Sequence, residues 1–569
     1  MSLTTGNNAI DSLVYSSWNN NAGTPAQLTY SFMCRVPSDA SADDANGFRA
    51  MTAAQQAGVQ KALAAWAAVA NVTFTQVAVN GDIQLGTNNQ GSQSSGYAYL
   101  PNGSDPTYLF TNNTEAYNNT FADGGFGISV LIHELGHTLG LKHPGNYNST
   151  GGGIDGPFLP AATDNLDYTQ MSYNTGSGFS LNHNYGITPM LYDIQAMQYL
   201  YGANMSYHTG ADTYGFGTNA ALQCIWDAGG NDTFDFSACT GATTINLNAG
   251  TFSSTAPGYN NISIAYNVTI ERAIAGSGGS TIYANAAGNV INGGAGNDTI
   301  YEGAGNDIIS GGGGTDTVKF SQALAAFTLN GSAAALTVSG DGTDSLSGIA
   351  NLSFSDATVQ TGNYGSFLGG TANADVLTAG SGSQLITGGG GIDLVNFSGK
   401  KADYLVGANL AGVTLGDQAG NTDLLAGVER VQFSDHTGLA FDTGGEAGQL
   451  YRLYGIFNRA PDDVGMGFFL YQMDHGMNLL TIASGFVNSN EFVETFGVNA
   501  TNEAFATALY HNILHRDPDA AGYAVTVNAL NQGLAREQAL VIFTESAENI
   551  ETVSHVMPVG ISYTPWAPV

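Results

Sequence analysis

The sequence predicts a multidomain chain: a mixed α/β domain, a duplicated parallel β-roll with accompanying β-sandwich strands, and a C-terminal α-helical bundle. Three observations predict it. Apolar residues at helical spacing over 52–70 and 128–141 stand among short strand-like runs. Gly-Gly-x-Gly-x-Asp-x-aliphatic recurs every nine residues from Gly293 onward. From about residue 446 glycine thins out, and Tyr, Leu and Phe take up helical spacing in a 57-residue tandem repeat. The boundaries that follow are 1–210, 211–365, 366–445 and 446–569.

In the first region, Thr52 and Gln55 form a capping box for a helix over 52–70, with Val59, Leu63 and Trp66 on one face. Strand-like runs follow at 72–79, 82–86 and 96–100, and further helices at 128–141 and 189–201. The second helix carries His133-Glu134-Leu135-Gly136-His137-Thr138-Leu139-Gly140-Leu141-Lys142-His143. Two histidines at i and i+4 share a helical face and can ligate one ion. Gly140 accepts a positive φ, so the helix can stop and the chain turn back to deliver His143 as third ligand. Three protein ligands leave a position for water, and Glu134, beside the same face, can take its proton. A bare H-E-x-x-H also occurs on buried helices that hold no metal. The helix-stop glycine and third histidine at fixed spacing are what favour the metal here.

That extended motif, followed by Tyr168-Thr169-Gln170-Met171-Ser172-Tyr173, resembles the metzincins with their Met-turn. A Tyr two residues after the Met, together with nine-residue glycine repeats, is similar to the serralysin branch of secreted zinc proteases. Supporting stretches are residues 64–74, 191–204 and 225–233, and the likeness covers about residues 10–320. The resemblance implies a metzincin-type catalytic domain, with Met171 as an apolar floor under the ligands. It also implies Tyr173 as a further zinc ligand that can swing off to hydrogen-bond a developing oxyanion. Without the family, Met171 reads as core and Tyr173 as a packed aromatic.

In each glycine repeat six residues turn and three form a strand whose aliphatic (Ile300, Ile309, Val318) points inward. Gly294, Gly296, Gly303, Gly305, Gly312 and Gly314 permit the turns, while Asp298, Asp307, Asp316 and backbone carbonyls supply oxygens suited to Ca²⁺. Turns alternate sides, so partners lie 18 residues apart: Asp298 with Asp316, and Asp307 with the weaker ligand Asn289. Residues 293–321 recur at 370–398, and the match resumes at an offset of 79. In this second copy Gln384 replaces Asp307, which predicts a roll with fewer ions or none.

The helical repeat pairs Arg459, Pro461, Asp462 and Gly465 with Arg516, Pro518, Asp519 and Gly522. Pro and Asp there suit helix starts, and the arginines read as structural. The segment resembles a bacterial helical domain of unknown function appended to secreted proteins. The pair His511 and His515 has no carboxylate at metalloprotease spacing and reads as surface or packing.

Charge narrows the partners. Lys and Arg number 13 against 46 Asp and Glu, a formal net charge of −33, so nucleic acid is excluded as a partner. No apolar run is long enough to span a membrane. Three cysteines (Cys34, Cys224, Cys239) make no disulfide framework. Residues 1–20 lack a basic head and an apolar stretch, so export would use another route; the repeats point to type I secretion, although no apolar C-terminal export tail stands out. The expectation is a secreted, monomeric, calcium-stabilised zinc endopeptidase acting on proteins and peptides. The competing readings are a cell-surface protein with a vestigial protease head, and a protease that processes one surface protein.

Overall fold

The computed structural model describes residues 5–19, 21–103, 105–148 and 153–567. It divides into two compact units, residues 1–319 and 320–569.

The first unit begins with a five-stranded sheet: β1 (Ala26–Phe32), β2 (Val72–Gln76), β3 (Ile83–Asn88), β4 (Gly96–Ala98) and β5 (Thr107–Asn112), in the order β2-β1-β3-β5-β4. Four strands run parallel, and β4 alone is antiparallel, at the edge beside β5. Three helices carry the rest of this part: α1 (Ala53–Val69), α2 (Phe126–Thr138) and α3 (Leu191–Tyr201). The Thr52/Gln55 capping box forms at the start of α1, and Val59, Leu63 and Trp66 are buried. Trp66 Nε1 donates to Ile132 O of α2 at 3.1 Å, which ties the two helices back to back. Sequence reading missed β1 and β5 and began α2 two residues late.

The remainder of the first unit is a roll of three-residue strands. Thr281–Tyr283, Thr299–Tyr301 and Thr317–Lys319 pair in parallel at 18-residue intervals; Arg272–Ile274, Val290–Asn292 and Ile308–Ser310 do the same in a second sheet. Ile282, Ile291, Ile300, Ile309 and Val318 fill the space between the sheets and are buried.

The second unit repeats this plan with an interruption. Ser366–Gly369 pairs in parallel with Gln384–Thr387, and Val376–Thr378 with Leu394–Asn396, again 18 residues apart. An antiparallel meander over 404–426 then intervenes. The next roll partners are therefore farther off: Leu385 with Leu424 and Leu394 with Arg430.

Eight α-helices follow between Glu446 and Ser554. Asp462 and Asp519 cap two of them, accepting from Gly465 N at 2.7 Å and Gly522 N at 2.8 Å. Arg459 and Arg516 reach not to these aspartates first but to Glu491 and Glu548, each through a two-pronged ion pair, and lie over the rings of Tyr454 and Tyr510. His511 Nε2 faces Asp517 Oδ1 at 3.0 Å.

The chain does not end helical. Ile561–Tyr563 returns as a strand against Gly438–Ala440, and Ile561, Tyr563 and Ala440 share one apolar core with Leu450, Met466 and Leu540. The helical repeat is thereby sewn to the second roll. Tyr563→Ala should destabilise the second unit by about 3–5 kcal/mol, the usual cost of removing a buried aromatic. Urea denaturation followed in residues 438–567 checks it; a loss under about 1 kcal/mol would mean that the strand is dispensable.

Candidate metal centre

The helix α2 packs on α1 and on the edge strand β4, and its C-terminal turn presents His133 and His137. Gly140 ends the run at φ +107°, and a Cβ there would stand 2.1 Å from Ser16 O. Only glycine fits. The chain then reverses beside residues 13–16, with Lys142 N donating to Leu13 O at 2.7 Å, and His143 comes back under the helix.

The result is a triangle of imidazole nitrogens. Nε2 of His133 lies 3.1 Å from Nε2 of His143 and 3.2 Å from that of His137, and His137 and His143 are 3.1 Å apart. Nδ1 of His133 faces Gln170 O at 2.8 Å, and Nδ1 of His137 faces Leu141 O at 2.7 Å. A carbonyl can only accept, so each Nδ1 carries the proton and each Nε2 turns a lone pair inward. Burial lowers the pKa of His133 to about 4 and of His137 to about 3. His143 is lowered further, by burial and by its two neighbours. Three neutral lone pairs converging with no hydrogen between them fit a cation. Zinc–nitrogen bonds of about 2.0–2.1 Å at tetrahedral angles hold ligand nitrogens about 3.3 Å apart, close to the spacing found.

Glu134 is buried beside the triangle, and its Oε2 has no hydrogen-bond partner. Burial pushes its pKa up to about 8; a bound cation would act in the opposite sense. A Cβ on Gly96 of β4 would come within 3.1 Å of Glu134 Cγ, so the edge strand passes directly over this carboxylate. Two cavities of about 360 and 380 Å³ flank it, one walled by Phe126, Val130, Leu166 and Tyr185, the other by Tyr15, Leu100, Lys142 and Ile154. Gly96, Glu134 and Tyr173 line both.

Met171 is fully buried below α2, where a Cβ on Gly136 would meet its Sδ at 2.7 Å. Tyr173 is half exposed, its ring centroid 4.6 Å from that of His143 and 5.0 Å from that of Tyr147. Burial, then the charge of Glu134, pushes its hydroxyl up to about 12.

Sequence reasoning passed over the residue that fixes this turn. Asp193, in the first turn of α3, is buried and accepts from Thr169 Oγ1, Gln170 N and Met190 N at 2.5–2.8 Å. Through Gln170, whose carbonyl holds His133, it orients a metal ligand at one remove. An acid three residues into a helix reads from sequence as a capping residue only.

In the first roll, Asp298, Asp307 and Asp316 are all buried. Asp316 Oδ1 accepts from Asp298 N at 2.8 Å, and Asp298 Oδ1 from Ser280 N at 2.6 Å, each across 18 residues. Oδ2 of both has no hydrogen-bond partner, and burial raises the pKa of Asp298 to about 6 against the pull of Ser280 N, with Asp316 adding to the rise. A buried carboxylate oxygen left bare in this way suits a hard cation.

Asp307 and Asn289 meet across 18 residues as expected, but through the backbone N–H of Asn289 and not its side chain. Asn289 Oδ1 accepts from Asn285 N, and its Nδ2 donates to Ile270 O and Glu271 O, so its carboxamide is spent on backbone. Asp307 Oδ1 takes Asn289 N at 2.5 Å, and Oδ2 takes Gly303 N at 3.2 Å. Among the glycines, Gly294, Gly312 and Gly314 have positive φ. Gly296, Gly303 and Gly305 are small because the neighbouring turn lies against them. Asp232, which precedes the strand Thr233–Asp235, has the same bare Oδ2 and was not singled out by the nine-residue pattern.

Comparison with known proteins agrees with this picture. Residues 192–351 match the family model described as Peptidase M10 serralysin C terminal, and residues 483–553 match a domain of unknown function (DUF4214). Serralysin of Proteus mirabilis is 38% identical over 315 residues, covering 48% of this chain and 63% of that protein. Metallopeptidase AprA of Pseudomonas marginalis is 40% identical over 294 residues, 46% of this chain and 61% of that protein. The chain is serralysin-like. The matches span about three fifths of these relatives' length. Serralysin C of Dickeya chrysanthemi gives the same figure of 40% over 292 residues.

Gly140→Ala should lower the zinc affinity of the serralysin-like part at least tenfold with its secondary structure retained, because the added methyl displaces the turn that returns His143. Competition with a chromophoric chelator reads this out, and unchanged affinity would show that His143 is not needed. Calcium removal should lower the thermal midpoint of the first roll. One site held at a hundred times its Kd contributes about 2.7 kcal/mol. A midpoint unmoved by chelation with zinc retained would argue against any calcium in the roll.

Proposed function

We propose that the chain is a secreted zinc endopeptidase whose roll is stabilised by calcium. The observation that carries this reading is the triangle of His133, His137 and His143 nitrogens with the unpartnered Glu134 carboxylate beside it. The names of the relatives, serralysin and metallopeptidase, support the same activity.

His133, His137 and His143 would hold the ion. When bound, zinc supplies a Lewis acid and a water of pKa about 7. Glu134 Oε2 accepts the proton of the attacking water and later delivers it to the departing amine. Tyr173, which lines both cavities beside Glu134, is assigned the role of donating from its hydroxyl to the carbonyl oxygen as that oxygen gains charge, and of helping to hold the ion otherwise.

The edge strand β4 has no further strand beside it among the described residues. An extended peptide can pair with it by backbone hydrogen bonds, which reads main chain more than side chains and favours broad specificity. Tyr97 of this strand is held by Asn88 Nδ2 and Asp44 Oδ1, both at 2.7 Å, so the edge is fixed in place for its substrate. The glycine repeats, which fold on meeting calcium outside the cell, support export by type I secretion.

Glu134→Gln should keep zinc and cut hydrolysis of an unstructured peptide by about 10²–10⁴-fold, the usual weight of a positioned general base. Elemental analysis beside a casein-fragment assay tests both halves. Full activity in this variant would overturn the assignment.

A further inference from the structure

The helical repeat allows a comparison within one chain, because residues of its first 57-residue unit have counterparts in the second. The first unit's last helix, Asn490–Phe496, meets the second unit through three phenylalanines. The ring centroid of Phe492 lies 4.7 Å from that of Phe496 and 5.8 Å from that of Phe505. The second unit's last helix, Ala547–Ser554, returns to the first unit's opening helix, Glu446–Leu453. The counterparts at this junction are Asn549, Val553 and Gly448, so all three rings are gone from it.

What remains is a cavity of about 210 Å³, lined by Tyr451, Arg452, Asn512, His515, Asn549 and Val553 among others. Arg452, Ile513 and Asn549 form its buried floor, and the exposed His515 and Val556 stand at its mouth. Asn549 is 1% exposed; its Nδ2 donates to Thr544 O at 2.8 Å, and its Oδ1 has no hydrogen-bond partner. A buried acceptor left bare costs free energy unless a donor reaches it. The two guanidinium groups that line the cavity are already answered. Arg452 holds Glu545 through Nε at 2.9 Å and Nη2 at 2.5 Å and gives Nη1 to Thr443 O, while Arg459 holds Glu491.

These features narrow the ligand. A purely apolar molecule would leave Asn549 Oδ1 bare, and an ion would find its counter-charges already paired. The volume is several times the ~30 Å³ of a water and below the ~300–1,000 Å³ of pockets for drug-sized molecules. Apolar walls from Ile513, Val553 and Val556 stand beside the polar groups. A small neutral ring bearing hydroxyls meets all of these conditions, since each hydroxyl both donates and accepts. We propose that this junction of the helical repeat binds a single neutral pyranose, the unit that ends or branches a polysaccharide chain. The site does not depend on the reading of the metal centre.

Saturation-transfer NMR on the full-length protein tests this, with the methyl glycosides of glucose, galactose, mannose and N-acetylglucosamine as probes and glycerol and acetamide as controls. At least one glycoside should bind with a millimolar Kd, and neither control should compete for it at equal concentration. Val553→Phe restores the residue that the first unit has as Phe496 and leaves Asn549 in place. It should weaken that binding at least tenfold with the helical circular dichroism unchanged. Asn549→Phe, which restores the first unit's Phe492, should abolish it. Failure of the wild-type protein to bind any of the four glycosides overturns the proposal. So does equal competition by a control, or full-strength binding in either variant. The wild-type and Val553→Phe measurements decide the matter even where Asn549→Phe fails to fold.

Discussion

Buried negative charge without a protein counter-charge is the constraint on which this molecule depends. Between residues 211 and 429 eighteen Asp and Glu face four Lys and Arg. Several of the acids are interior, and Asp232, Asp298, Asp316 and Asp393 each keep an oxygen with nothing bound to it. An isolated buried carboxylate costs several kcal/mol, more than most single contacts return. One oxygen of each ties a turn to an earlier turn, 18 residues back for Asp298, Asp316 and Asp393 and 20 for Asp232, and the other oxygen is free to meet a cation. The histidine-bearing part of the first unit holds the counterpart with the opposite polarity: three neutral lone pairs brought together at about 3 Å, beside a bare Glu134.

Rigidity of the histidine triangle comes from neighbours outside it. The carbonyls of Gln170 and Leu141 set two tautomers, and Asp193 pins the turn that supplies Gln170. Met171 and Trp66 leave no room for a methyl on Gly136, so helix α2 cannot roll. These residues come from several separate segments, the loop after α2, the turn at Gln170 and Met171, α3 and α1, so the triangle depends on their assembly.

The convergence of His133, His137 and His143 was legible in the sequence because helical spacing plus one helix-stop glycine places all three histidines locally. The roll was legible because a flexible glycine-rich linker has no reason to keep an aliphatic at every ninth residue. What escaped depends on distant partners. Strand β1 is recognised only by pairing with β2 and β3, more than forty residues on. The closing strand Ile561–Tyr563 is three residues long and meets its partner across more than a hundred. Asp423 and Glu429 were hidden because the meander stretches the 18-residue interval to 39 and 36, so the nine-residue count no longer finds them. The backbone contacts of the Asn289 side chain were not legible for a simpler reason. Its amide can serve either an ion or backbone groups, and composition does not say which.

The duplicated copies differ in how their turns answer backbone donors, and on the proposed reading this is how a repeat would give up its ion. Removing an acid alone would leave backbone donors unanswered, so each loss comes with a replacement that restores the hydrogen bonds. Gln384 answers Gly380 N with its oxygen and Ser366 with its nitrogen, and Thr371 answers Asp375. Asn289 performs the same service inside the first roll. A neutral amide supplies donor and acceptor together, whereas a carboxylate supplies acceptors only and leaves charge over. The part of the second unit that carries the helical repeat has moved furthest in this direction, and there positive charge is at hand: Arg430, Arg452, Arg459 and Arg516 each meet a carboxylate of the same unit. Along the chain bare buried carboxylate oxygens thus give way to carboxylates met by the protein's own arginines, and on the proposed reading dependence on an ion fades in the same order.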